Sequence, residues 1–72
     1  AESRAAKKEL ARLERQVGQL EQREARLHEQ LALHAVDYEK VSALDAELRA
    51  VQRQRADAET AWLELAERTG SG

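Results

Sequence analysis

The 72-residue chain contains no cysteine, proline, methionine or phenylalanine. Without thiols it can form neither disulfides nor a thiolate metal site. One Trp and one Tyr are its only aromatics. That is too little bulk for a globular core, which draws on aromatic and β-branched side chains. No apolar run approaches the roughly 20 residues needed to cross a bilayer, and no signal-peptide core is visible. The expectation is a soluble, cytoplasmic chain with no membrane partner. It begins without Met and ends in "RTGSG", and it reads as a piece cut from a larger protein.

What remains is material for helices. The composition is 42% hydrophobic and 36% charged, dominated by Ala, Leu, Glu, Arg and Gln, all strong helix formers. Such charge also suits disorder, but the leucines recur too regularly for that. Ala6, Leu10, Leu13, Val17, Leu20, Glu24, Leu27, Leu31 and His34 alternate at gaps of four and three. Val41, Leu44, Leu48, Val51, Arg55, Ala58, Trp62 and Leu65 do the same. Both sets are a and d positions of a heptad repeat.

Between His34 and Val41 the phase slips by three residues, within "LHEQLALHAVDYEKVSALDAEL" (residues 27–48), which contains no glycine. A continuous coiled coil absorbs such a slip as a stammer. A hairpin explains more. If Leu31 faces Leu44, the same antiparallel register pairs His34 with Val41, Leu27 with Leu48, Glu24 with Val51, Leu20 with Arg55, Val17 with Ala58, Leu13 with Trp62 and Leu10 with Leu65. Every layer sets an a position against a d position. Asp37 is placed to cap a second helix by accepting from the backbone of Glu39 or Lys40, and Asp37 and Glu39 suit the positive end of its dipole. The fold expected is all-α, a two-helix antiparallel coiled-coil hairpin over residues 1–69, with helices at about 3–34 and 38–68 and a hinge at about 35–37. Thr69 and Gly70 stop the second helix, and residues 70–72 are expected to form a disordered tail.

Two seam positions are charged, Glu24 and Arg55, in neighbouring layers. Either each snorkels outward along its alkyl stem, or they pair diagonally and fix register and orientation. Trp62 reads as core filler at the open end, or as a contact to a neighbouring domain. Tyr38 either covers the last apolar layer or stands exposed at the tip. His34 closes the last layer, and His28 faces Asp45 across the hairpin.

Catalytic constellations are absent: no Gly-rich phosphate loop, no cysteine nucleophile, no strand–turn–helix context for a serine elbow. His28 and His34 are six apart and lie on different helix faces, so no metal site is expected. The charges, however, are uneven. Residues 1–34 carry seven bases and six acids, residues 35–72 five bases and eight acids. Arg4, Lys8, Arg12, Arg15, Arg23 and Arg26 share one side of the first helix, away from the leucines. Such a stripe either tracks phosphates or merely solvates the rod. The net charge of −2 and the lack of interleaved aromatics argue for weak binding without base stacking.

Three segments resemble a known family: "AAKKELARLERQVGQLEQREARL", the hinge "HAVDYEKVSALDAEL", and "AETAWLELAE". Together, over about residues 4–67, they resemble the C-terminal coiled-coil domain of Uup-type ABC-F ATPases. The discriminating parts are Asp37-Tyr38 followed by Val41 and Leu44, and Trp62-Leu63-Glu64. The resemblance implies a cytoplasmic parent with two ATP-binding cassettes, which use ATP and Mg, and no transmembrane domain. It also implies a hairpin arm that binds DNA, or ribosomal RNA in a ribosome-associated parent, here through Arg4, Lys8, Arg12, Arg15, Arg23 and Arg26. None of the ATPase motifs lies in this chain, so no enzyme activity and no cofactor are expected of it. The family's domain usually follows a basic linker, which these 72 residues do not include, and this domain is net acidic. The competing readings are a structural or protein-docking hairpin and half of an intermolecular coiled coil; the hairpin reading expects a monomer.

Overall fold

A computed structural model describes residues 2–70. Two helices account for most of it, α1 over Glu2–Leu33 and α2 over Tyr38–Gly70. They pack along their whole lengths as a helical hairpin. The molecule measures 53 × 14 × 14 Å. A helix of 32 residues is about 48 Å long at 1.5 Å per residue, so the long axis is one helix and the short axes are two helices laid together. The Cα radius of gyration is 16.2 Å, where a compact chain of this length would have about 11 Å. The protein is a rod.

The heptad pattern names the seam correctly. Leu13, Leu20, Leu27, Leu48, Val51 and Ala58 are buried, and every other a or d position from Ala6 to Leu65 is at least half-buried. Leu20, Leu27, Leu48 and Val51 form one cluster, with Leu31 and Leu44 packed against it. The exposed large apolar residues, Leu33, Val36, Tyr38 and Leu63, all lie off the predicted seam.

The reversal occupies residues 34–37. The His34 N–H still donates to Gln30 C=O at 3.0 Å, and the Asp37 N–H donates to His34 C=O at 2.9 Å, which closes a four-residue turn. Asp37 then starts α2. Its carbonyl accepts from the Val41 N–H at 2.9 Å, and its carboxylate Oδ1 accepts from the Lys40 N–H at 3.2 Å. That is an N-cap at the third helical residue. No described residue has a positive φ, so the chain reverses without the left-handed conformation that glycine usually supplies. This is why the sequence around the hinge needs no glycine. α2 runs on through Gly70; the rest of the expected tail, residues 71 and 72, lies outside the described residues.

Of the two readings of Tyr38 the exposed one holds, at 84% exposure. Tyr38 is the first residue of α2, and a helical Cβ tilts toward the helix N-terminus, which here points beyond the tip. His28 does not face Asp45. Its nearest acid is Glu24, one turn earlier on its own helix, with Nε2–Oε1 at 3.8 Å, and Asp45 pairs instead with Arg49 on α2, with Nε–Oδ2 at 3.1 Å. Both contacts are i, i+4 neighbours, which meet on one helix face without bending across the seam.

Candidate functional site

The basic side chains of α1 follow from helical geometry. At about 100° per residue, Arg4, Lys8, Arg12, Arg15, Arg23 and Arg26 fall within a sector about 100° wide that excludes the seam. All six are exposed. Arg4 and Arg26 stand 22 residues apart, so the stripe extends about 33 Å along the rod.

The six are not equivalent. Arg12 and Arg23, eleven residues or about three turns apart, mark the edge of the stripe nearest α2, and both are engaged by acids. Arg12 donates to Glu9, with Nε at 3.0 Å from Oε1 and a second contact through Nη2. That hydrogen bond, with the charge behind it, holds the Glu9 carboxyl below the usual glutamate range and raises the Arg12 guanidinium. Arg23 reaches across to Glu47 of α2 at 2.6 Å. Among the described residues, Arg4, Lys8, Arg15 and Arg26 make no ion pair. They leave a cationic ridge of four groups.

The seam charges meet. Arg55 Nη1 lies 2.8 Å from Glu24 Oε2, and Arg55 Nε lies 3.3 Å from Glu59 Oε1. The Glu24 side chain is only 15% exposed, that of Arg55 35%. Glu24 Oε2 and Arg55 Nε are buried atoms without a well-directed hydrogen bond; these short contacts are therefore charge pairs, close in distance and poor in angle. Glu24 also has His28 at 3.8 Å. The result is a small polar patch, Glu24, Arg55, Glu59 and His28, set into the apolar stripe one turn from Val51, the most deeply buried of the described side chains. Among the described residues no cluster of His, Asp and Glu is placed to hold a metal ion, and no helix is long and apolar enough to cross a membrane.

The family model for the ABC transporter C-terminal domain matches residues 1–67. The chain belongs to that family. The match covers the two arms and the turn between them, so the part of the resemblance that concerns a C-terminal domain of an ABC protein holds. No curated protein and no solved structure matches the chain.

In this ABC transporter C-terminal domain, sequence reasoning missed one feature. Trp62 is only half-buried, and its indole N–H donates to Glu14 Oε1 of α1 at 3.2 Å. Glu14, Val17, Glu59, Trp62 and Leu63 line an open groove between the arms near the end of the rod away from the turn. The available signal was the indole N–H itself. It needs an acceptor wherever the ring is partly buried, and Glu14 follows Leu13, the residue set opposite Trp62 by the seam register.

Proposed function

We propose that this hairpin is the nucleic-acid-binding arm of a Uup-type ABC-F ATPase, touching DNA or ribosomal RNA through phosphates and without sequence specificity. The observation that carries the reading is the ridge of Arg4, Lys8, Arg15 and Arg26, exposed on one face and free of acidic partners among the described residues. Phosphate contacts need no more than a row of cations that can approach the backbone, whereas base reading needs groove-filling or stacking side chains. The stripe carries no aromatic, which supports backbone contact alone. In this reading ATP and Mg belong to cassettes of the parent. The chain has no glycine-rich phosphate loop of its own, and the hairpin works as a monomeric arm.

The charge count sets the strength. Four cations neutralising about four phosphates give log K falling against log salt with a slope of about −3.6. Acids of α2 such as Glu47 oppose the approach on one flank, so dissociation constants no tighter than about micromolar are expected at physiological salt, within the non-specific range. The test is a titration of labelled duplex DNA at several salt concentrations. The chain is compared with a variant in which Lys8, Arg15 and Arg26 are replaced by Gln. None of the three touches the seam, so the hairpin keeps its circular dichroism, while affinity falls and the slope shrinks by about 0.9 per removed contact. Equal binding by the variant, or none by the parent at low salt, would replace this reading with a protein-docking hairpin.

A further inference from the structure

On the far side of the seam from Arg12 and Arg23, the groove lined by Glu14, Val17, Glu59, Trp62 and Leu63 has a chemistry unlike the basic ridge. Val17, Trp62 and Leu63 are apolar, and Leu63 is left exposed although no seam position requires it. Glu14 and Glu59 supply two carboxylates. Arg55 reaches Glu59 at 3.3 Å, but it is shared with Glu24 at 2.8 Å, so one cation serves two acids. Among the described residues, Glu14 receives only the neutral indole N–H of Trp62. The groove is therefore apolar between under-neutralised carboxylates.

We propose that this groove docks an amphipathic segment of a partner protein that presents an arginine or lysine beside an apolar residue. The cation would lie over the face of the indole ring beside Glu14, whose Oε1 stays on the ring's N–H, using a carboxylate and a cation–π contact together. The apolar neighbour would cover Leu63 and Val17. A second copy of the chain fits less well: a stable dimer buries about 800 Å² per partner, and five residues on a rod 14 Å across offer a site for one segment. The inference is independent of phosphate binding by the other face.

Trp62 is the sole tryptophan, so its emission reports the groove directly. The probes are two synthetic 14-residue amphipathic helices of Leu and Ala, identical except that one carries central arginines and the other glutamines. The arginine peptide should shift Trp62 emission saturably, and the glutamine peptide should bind about fivefold or more weakly. Glu14→Gln keeps an acceptor for the indole N–H but removes the charge, and Glu59→Gln removes the other; each should weaken the arginine peptide about three- to fivefold, the effect of one exposed ion pair, with circular dichroism unchanged. Equal binding of both peptides, no saturable shift, or indifference to both substitutions would overturn the proposal. So would an emission change that follows chain concentration alone with a dimer in sedimentation, which would make a second copy the occupant.

Discussion

Replacing the two seam charges singly and together tests whether the ion pair between Glu24 and Arg55 holds the arms in place. At 2.8 Å, opposite unit charges attract by about 6 kcal/mol at an effective dielectric constant of about 20. Most of that is offset by taking both groups out of water and ordering two long side chains. A net coupling of about 0.5–2 kcal/mol remains for a pair this buried. The surroundings also predict an asymmetry. Glu24→Gln leaves Arg55 with Glu59 at 3.3 Å, so the stranded charge keeps a partner and the loss should be about 1 kcal/mol. Arg55→Gln leaves Glu24 at 15% exposure with only His28 at 3.8 Å, and the loss should be nearer 2 kcal/mol. For a domain of this size, about 1 kcal/mol moves the melting temperature by roughly 4–8 °C. Urea unfolding of the parent, both single variants and the double variant gives all the terms. A coupling indistinguishable from zero, or a larger loss for Glu24→Gln than for Arg55→Gln, would refute the reasoning and leave two side chains that merely snorkel.

Two further substitutions probe the helices themselves. Asp37→Ala removes the acceptor of the Lys40 N–H and should cost about 1 kcal/mol in urea unfolding; no loss would mean that the turn holds without its cap. Gly18 lies within α1 with nothing within 4 Å of the place a Cβ would occupy. Gly18→Ala should therefore stabilise the hairpin by about 0.5–1 kcal/mol through helix propensity and a less flexible unfolded chain, and a lower melting temperature would contradict this.

The seam was legible because a two-helix rod has only one place to bury leucines. The heptad spacing both located it and set the phase slip that marks the turn. Glu24 and Arg55 stood out for the same reason, as the charges inside that spacing. What escaped was set by directions that spacing does not encode. Spacing leaves Tyr38, three residues before Val41, free either to cover the last layer or to stand exposed; the direction of its Cβ, off the end of the rod, decides for exposure. His28 and Asp45 are suitably placed across the seam, yet each has an acid or base one turn away on its own helix, and the local partner needs no reach. The Trp62 groove depends on how far a large ring stands out of a thin core. A list of a and d positions treats that ring as buried.

Regular heptads also raise the question of why the arms do not slide. Shifting one helix by a heptad keeps a facing d, so leucine packing alone does not choose among registers a heptad apart. In the observed alignment Arg55 sits four residues, about 6 Å of rise, beyond the position opposite Glu24. A slide that shortens the turn side of α1 would move the reversal to about residue 34, separate the pair by eleven residues, about 16 Å of rise, and set Arg55 opposite Leu13, where it keeps Glu59 of its own helix but loses Glu24. The ion pair disfavours that register. A slide the other way leaves Arg55 three residues from the position opposite Glu24, about 4.5 Å of rise, so the pair survives. That register would instead move the reversal to about residue 41. It would dissolve the turn closed by Asp37 N–H on His34 C=O and the cap on Lys40, and take Val41 and Leu44 out of the seam. Register is thus held at two places by different chemistry, a charge pair midway along the rod that resists one displacement and a capped turn at its tip that resists both.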